Sequence, residues 1–346
     1  MTMSFIFVSS SDDEANRTFE GMDIDNYDYP KKVWSTPVKK VRNEAAEVKK
    51  NWDKRFYDGP DSANAKYFKK DQFEYDKGVE NELQQTVQKD PMLKDLFQGL
   101  TLKVLVPEDY RLLTQNGQAY CMGTGFTAKV FVAENMQTKE LVCIKAFQDK
   151  RGRDKILEEI GYFNRGQRIL AQDPDYVPLH FRGFLKLKQN SQLIKEFDDL
   201  VHVTTVASLV PNVPVCLSLE TATVLLVRHR MDLSIAEWAS IIYRLIKATC
   251  LFYNGLLTHG DLHAGNVCLT YVDGVYKLGI IDFGFAKYER GVKDLTLALD
   301  CAQDVAEPLN MDCTIDCIEN VSRHLNINTV LKELHAALSE DVRRLS

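Results

Sequence analysis

The chain has 346 residues, of which 45% are hydrophobic and 27% are charged, and its formal net charge is -6. This composition is typical of a soluble globular protein, and the length suffices for one large domain or for two lobes and a tail. The slight acidity argues against a general nucleic-acid-binding protein, and no apolar run is long and continuous enough to span a bilayer.

Residues 1–95 are polar and charged and contain few long apolar stretches. Such a segment buries too little surface to offset the entropy lost on ordering, which predicts a disordered tail. Aromatic residues such as Trp34, Trp52 and Tyr67 are nevertheless spread through it, which is not typical of a pure linker. The alternative interpretation is therefore a segment that lies over the folded domain or binds an unknown partner.

From residue 100 onwards the pattern predicts strands, one helix and then further strands. The predicted strands share short apolar runs, many of them rich in β-branched residues: 102–105, 119–122, 129–133, 141–147, 181–187 and 222–227. The helix covers residues 153–170, with Ile156, Ile160 and Phe163 on one face. Residues 189–221 are predicted to be irregular.

After Asp232 the chain is predicted to be mainly helical. Residues 235–256 carry the apolar stripe of a buried helix, and two short strands follow at 267–269 and 278–281. The remaining residues, from about 292 to 346, are predicted to form helices.

Two motifs of the N-terminal half are candidates for binding phosphates. The first is GTGFTAKV at residues 123–130, whose glycines allow backbone N–H groups to approach phosphates, although a tight hairpin turn explains the same residues. The second is VCIK at residues 142–145, where Lys145 near the end of an apolar strand needs an anion or must reach solvent. Of the two acids in the next helix, we favour Glu159 over Glu158 as its partner, because two aromatic residues follow Glu159 three and four positions later.

Two motifs of the C-terminal half are candidates for catalysis. In HGDLHAGNV at residues 259–267, Asp261 can accept a hydroxyl proton while the side-chain oxygen of Asn266 binds a metal. The histidines of this loop also permit a zinc site, which is the weaker interpretation because Asn266 and the next motif account for the loop. In IIDFG at residues 280–284, Asp282 follows a hydrophobic strand and can hold a Mg²⁺ ion that bridges phosphates.

Together the four motifs resemble, in order and approximate spacing, the signature of the protein-kinase-like superfamily over residues 105–300. The resemblance implies an α+β, bilobal protein-kinase-like fold within residues 96–346. An antiparallel-sheet N-lobe would cover about 100–230, and a reduced, mainly helical C-lobe would cover about 231–346. ATP would lie in the cleft between the lobes, with the hinge over adenine near residues 227–231.

The resemblance also implies a role for each motif. Lys145 would contact the α- and β-phosphates and pair with Glu159. Asp261 would position and deprotonate the acceptor hydroxyl, and Asn266 and Asp282 would hold Mg²⁺. The residues implied to bind ATP are Gly123, Thr124, Gly125, Phe126, Thr127, Ala128, Val130, Lys145 and His263.

The chain departs from most protein kinases at several positions. Ala128 replaces the third glycine of the loop, and Gly260 replaces the arginine that normally pairs with a phosphorylated activation loop. The sequence DLHAGN, with His263, resembles haspin-type kinases, and HGDLHAGN resembles aminoglycoside-type phosphotransferases. No Ala-Pro-Glu motif follows, and a helix is predicted from Lys293, where Asp294 or Asp300 is a candidate to brace the catalytic loop.

These features predict an atypical ATP- and Mg²⁺-dependent kinase that phosphorylates Ser/Thr hydroxyls of a protein substrate without needing activation-loop phosphorylation. The alternatives are a small-molecule phosphotransferase on the same fold and a pseudokinase-type binding module, which the intact motif set disfavours. The eight cysteines form no CxxC pair, which predicts reduced thiols in the cytoplasm or nucleus. By analogy with divergent kinases of viruses and pathogens, that compartment would be a host cell's if the protein belongs to a virus or is a pathogen effector.

Overall fold

A computed structural model of the chain describes residues 73–115, 118–119, 121–124, 128–147, 152–187, 200–205, 217–227, 233–272 and 275–346. Its architecture is α+β, with an antiparallel sheet in the N-terminal lobe and mainly helices in the C-terminal lobe. The bilobal, kinase-like fold class that the sequence predicts is therefore confirmed.

The N-lobe is built on one antiparallel sheet of seven described strands. These are β1 (Phe73–Glu74), β2 (Tyr110–Leu112), β5 (Cys121–Thr124), β6 (Ala128–Asn135), β7 (Leu141–Phe147), β8 (Phe181–Leu187) and β9 (Leu200–Thr205). Two short strands, β3 (Thr114–Gln115) and β4 (Gln118–Ala119), pair separately. The order in the sheet is β1–β8–β9–β7–β6–β2, and β5 pairs with β6. Strand β7 therefore lies in the interior of the sheet, between β6 and β9.

Three helices in the described part of the chain accompany this sheet: α1 (Lys77–Lys89), α2 (Pro91–Leu96) and α3 (Arg153–Leu170). Each of the first two begins at an aspartate, Asp76 or Asp90, whose carboxylate accepts backbone N–H groups of the first turn. Helix α1 buries Leu83, and α2 buries Leu96, in the same hydrophobic core as α3. The described fold therefore includes residues 73–95, which the sequence analysis assigned to the N-terminal segment. The tail interpretation concerns residues 1–72, which lie outside the described residues.

The C-lobe contains five described helices and a three-stranded sheet. The helices are α4 (Leu219–Val227), α5 (Ile235–Asn254), α6 (Lys293–Ala306), α7 (Asp312–His324) and α8 (Val330–Leu345). The strands are β10 (Leu217–Ser218), β11 (Val267–Val272) and β12 (Val275–Ile280), with β11 in the centre. Helix α5 begins at a capping box formed by Ser234 and Glu237 and buries Trp238 completely.

A buried carboxylate joins the last two helices. Asp341 of α8 accepts hydrogen bonds from the backbone N–H groups of Cys313 (3.2 Å) and Thr314 (2.7 Å) and from the Thr314 hydroxyl (2.7 Å). Helix α7 has no side-chain cap of its own, so α8 supplies the acceptor that its first turn needs.

Two predictions between the lobes were wrong. Residues 222–227 belong to α4 and not to a strand, and the stretch predicted to be irregular contains β9. A short, continuously apolar run does not reveal by its periodicity whether it forms a helix or a strand. The prediction of a hinge at 227–231 assumed that strand, and residue 227 instead ends α4. Residues 228–232 lie outside the described residues.

Within the described ranges, no helix combines the length and the apolar character needed to cross a membrane.

Candidate active site

An ion-pair network around Lys145 lies at the centre of the site. Lys145 lies on β7, and its Nζ donates hydrogen bonds to Glu159 Oε1 (2.6 Å) and to Asp282 Oδ1 (2.8 Å). Burial alone would lower the pKa of Lys145, but the charges of the two carboxylates raise it above the usual value. The network therefore holds a cation that links the N-lobe sheet, helix α3 and the segment after β12.

Glu159, and not its neighbour Glu158, is the acid of α3 that contacts Lys145. Glu159 is buried on the face of α3 that packs into the protein. Glu158 pairs instead with Lys155, one turn earlier on the same helix, at 2.6 Å.

Asp282 has an uncommon backbone conformation for a residue with a side chain, with φ +59°. Burial would raise the pKa of its carboxyl group, but the charge of Lys145 and its hydrogen bond lower the pKa to about 2. Asp282 is therefore a carboxylate at neutral pH.

Phe283 holds this segment against α3. Its buried ring is 4.5 Å from that of His259 and 5.9 Å from that of Phe163, between ring centroids. It lies so close to Gly166 of α3 that a Cβ atom there would overlap the ring. Gly166 is thus the residue that lets Phe283 pack directly on the helix backbone.

His259, the first residue of the HGDLHAGNV loop, is fully buried and uses both ring nitrogens within the fold. Its Nε2 lies 2.9 Å from the carbonyl oxygen of Ile281, and its Nδ1 accepts a hydrogen bond from the backbone N–H of Asp261 (3.3 Å). Neither ring nitrogen of His259 is left to bind a zinc ion, which argues against the interpretation of this loop as a zinc site. No cluster of three or more His, Cys, Asp or Glu side chains suited to a metal occurs in the described part of the chain.

The start of α6 braces the same loop. The carboxylate of Asp294 accepts hydrogen bonds from the backbone N–H groups of His259 (2.5 Å) and Gly260 (2.8 Å). Lys293 Nζ donates to the carbonyl oxygen of Gly260 at 2.5 Å. Of the two acids considered from the sequence, Asp294 is the one that makes this contact, and Asp300 is exposed.

Gly260 has a structural reason to replace arginine. Its φ is +83°, and a Cβ atom would lie 2.5 Å from the carbonyl oxygen of Phe285. A side chain at this position would meet both an unfavourable backbone conformation and a steric clash.

Asp261 and Asn266 lie side by side in the loop. The side-chain nitrogen of Asn266 donates to the carbonyl oxygen of Asp261 (2.8 Å) and lies 3.4 Å from its Oδ2. His263 Nε2 is 3.6 Å from the same carboxylate, and this polar interaction with His263 lowers the pKa of Asp261. Asp261 is thus kept ionised, as a proton acceptor must be.

Sequence reasoning missed Glu220 of α4, which approaches this loop. A Cβ atom added to Gly265 would lie 3.1 Å from Glu220 Oε2. Burial raises the pKa of Glu220, whereas the charge of His263 acts in the opposite direction. No sequence signal pointed to Glu220, because its segment was not recognised as a helix.

The described residues of the glycine-rich motif lie at the end of β5 and the start of β6. Gly123 and Thr124 end β5, where their Cα partners on β6 are Val130 and Lys129. Val130 is also the Cα partner of Lys145, and Ala128 begins β6. Three of the predicted ATP-binding residues, Gly125, Phe126 and Thr127, lie outside the described residues.

The side-chain oxygens of Asn266 and Asp282 are suitable ligands for a Mg²⁺ ion. Asn266 uses its side-chain nitrogen inside the loop, and no hydrogen bond to its Oδ1 occurs among the described residues. Asp282 supplies a carboxylate beside Lys145. Carboxylate and amide oxygens are hard ligands of the kind that Mg²⁺ prefers.

A comparison with known protein families gives a match, whereas no curated protein matches the chain. Residues 236–318 match the phosphotransferase enzyme family, APH. The matched segment contains Asp261, Asn266 and Asp282, together with the bracing residue Asp294. The part of the chain that carries the catalytic loop and the metal-site candidates is therefore similar to phosphotransferases of the protein-kinase-like superfamily.

Proposed function

We propose that this protein is an atypical ATP- and Mg²⁺-dependent kinase that transfers the γ-phosphate of ATP to serine or threonine hydroxyls of a protein. The observation that carries the proposal is the contact of Lys145 Nζ with both Glu159 (2.6 Å) and Asp282 (2.8 Å). Asp282 lies 137 positions from Lys145 in the sequence. A lysine held in this way matches the phosphate clamp of kinases.

The described side chains divide the chemistry between them. Lys145 binds the α- and β-phosphates and is oriented by Glu159. Asp261 positions the acceptor hydroxyl and takes its proton, while Asn266 fixes the backbone of Asp261 by a hydrogen bond of 2.8 Å. Asn266 and Asp282 would hold Mg²⁺, which would supply charge stabilisation on the phosphates when bound.

Two features favour activity without activation-loop phosphorylation. Gly260 offers no arginine to pair with a phosphate group. Instead, the backbone of the loop is already held by Asp294 and Lys293 of α6, which replace a phosphate-dependent contact by fixed hydrogen bonds.

A protein acceptor is favoured by the surface that follows Asp282. Phe285, Tyr288 and Val292 expose 63%, 48% and 42% of their surface there. The carbonyl of Phe285 lies against Gly260, so this apolar surface adjoins the loop of Asp261. Exposed apolar side chains beside a catalytic site suit a polypeptide substrate.

A small-molecule phosphotransferase is the second candidate. It is favoured by the similarity of residues 236–318 to the phosphotransferase enzyme family and by the HGDLHAGN form of the loop. A pseudokinase-type binding module is disfavoured because Lys145, Asp261, Asn266 and Asp282 are all present.

The location that we propose is the cytoplasm or nucleus, in a host cell if the protein belongs to a virus or pathogen. The seven described cysteines are all free thiols, which is compatible with a reducing compartment.

Incubation with radiolabelled ATP and Mg²⁺ tests the function and separates the two acceptor classes. Labelling of generic proteins or of the chain itself supports a protein kinase, whereas labelling of aminoglycosides or other small alcohols alone supports the second candidate. Asp282→Ala should abolish transfer, and Lys145→Met should reduce it by orders of magnitude, while exposed Asp300→Ala should leave it unchanged. Near-normal turnover by Asp282→Ala or Lys145→Met would overturn the site assignment.

A further inference from the structure

A buried histidine lies beside the lysine of the ion-pair network. His202 of β9 is the direct Cα partner of Lys145 on β7, so the two side chains emerge on the same face of the sheet. Only 7% of His202 is exposed. Within the described chain, neither Nδ1 nor Nε2 of its ring has a hydrogen-bond partner.

The surroundings of His202 keep its ring uncharged. The ring is 5.9 Å from that of Phe147 and 6.3 Å from that of Phe181, between centroids. Burial and the nearby charge of Lys145 lower the pKa of His202 to about 3. The neutral imidazole therefore has one N–H donor and one unprotonated nitrogen that can accept a hydrogen bond.

An apolar side chain would suit this position better if His202 had only to fill space. Buried polar atoms without partners destabilise a fold, and an aromatic ring such as phenylalanine would pack against the same neighbours without that cost. Polar residues that break such a rule are expected at functional sites.

Lys145 needs a partner of this kind during the proposed reaction. Its ammonium has three N–H donors, of which Glu159 and Asp282 accept two in the structure. When Asp282 turns towards a bound metal, a phosphate oxygen takes the donor that Asp282 releases, and the third donor of Lys145 still needs an acceptor in a buried site. A further carboxylate there would repel the phosphates, whereas a neutral imidazole accepts a hydrogen bond without adding negative charge.

We propose that His202 is a positioning residue for Lys145. Its unprotonated ring nitrogen accepts a hydrogen bond from the ammonium, directly or through one water molecule, once Asp282 has turned towards the metal. The inference rests on the proposed function, because that function assigns Asp282 to the metal and Lys145 to the phosphates.

Two substitutions separate positioning from packing. His202→Phe keeps a ring of similar shape and removes both nitrogens, whereas His202→Gln keeps a hydrogen-bond acceptor. With Mg²⁺-ATP, His202→Phe should lower kcat for ATP hydrolysis at least tenfold and change KM less than threefold. Its melting temperature without nucleotide should equal or exceed that of the wild type, and His202→Gln should recover kcat to within threefold of the wild type.

A purely structural histidine would give a different result. Loss of activity in step with loss of stability, or a His202→Phe variant with kcat within twofold of the wild type, would overturn the proposal.

A spectroscopic readout is independent of turnover. In wild-type protein labelled with ¹⁵N-histidine, a non-hydrolysable ATP analogue added with Mg²⁺ should move the resonance of the unprotonated nitrogen of His202. The analogue without Mg²⁺ should not move it. An unmoved resonance in the saturated complex would overturn the proposal even if His202→Phe fails to fold. Failure of the proposed function is recognised separately, by a wild-type protein that transfers phosphate to no acceptor.

Discussion

Replacement of Gly260 by alanine perturbs the loop of Asp261 at a position without room for a side chain. Gly260 has φ +83°, and a Cβ atom there would lie 2.5 Å from the carbonyl oxygen of Phe285. The left-handed conformation costs an L-residue about 1–2 kcal/mol, and forcing apart packed groups adds about 1–3 kcal/mol. We therefore expect Gly260→Ala to lower the free energy of unfolding by about 2–5 kcal/mol.

Gly99→Ala is the matched control, because Gly99 has φ +77° and no described atom lies within 4 Å of an added Cβ. It should show the conformational cost alone, about 1–2 kcal/mol. Urea unfolding of both variants measures the difference. ATP hydrolysis by Gly260→Ala should also fall by about 100-fold if Asp261 moves by about 1 Å. Equal losses of stability in the two variants would refute the steric argument.

Three further predictions concern the acids around the site. Glu159→Gln should slow phosphate transfer about tenfold or more, because Lys145 loses the carboxylate that orients it. Glu158→Gln should keep the rate of transfer within about twofold of the wild type, because the partner of Glu158 lies away from the site. Equal effects of the two substitutions in a steady-state assay would contradict this prediction. Asp294→Asn should lower the free energy of unfolding by about 1–3 kcal/mol, because a buried N–H group loses its acceptor. Exposed Asp300→Asn should change the free energy of unfolding by less than about 0.5 kcal/mol. Urea unfolding of both variants measures these changes. Because the pKa of Asp282 is lowered to about 2 in the folded protein, below its unfolded value of about 3.9, its stabilising effect is present above about pH 4 and is lost towards pH 2. Asp282→Asn should therefore flatten the loss of stability over that range, and an unchanged pH profile would contradict the assignment.

The pair of Lys145 and Glu159 was accessible from the sequence, because Lys145 belongs to a motif whose chemistry restricts the residue type. The direct contact of Lys145 with Asp282 was not predicted. The structure brings Lys145, Glu159 and Asp282 together although 137 positions separate the first from the last. The fold class followed from the same motifs. The roles of these residues in binding and transfer stay predictions.

Other parts were not predictable, for physical reasons. Helix α4 is a short apolar run without a polar face, so its pattern did not distinguish a helix from a strand, and Glu220 was missed with it. His202 was missed because the significance of a histidine in a strand depends on the strand beside it. Strand pairing between β7 and β9 is a long-range contact that local propensity does not contain.

The packing of Phe283 on Gly166 has a consequence for inhibition. If the Phe283 ring moves away, α3 loses its contacts with the ring at Gly166 and Phe163. A rotation of α3 would in turn displace the ring. Because Glu159 belongs to the same helix, a compound that displaces Phe283 would remove one of the contacts that hold α3, and with it Glu159, in place beside Lys145.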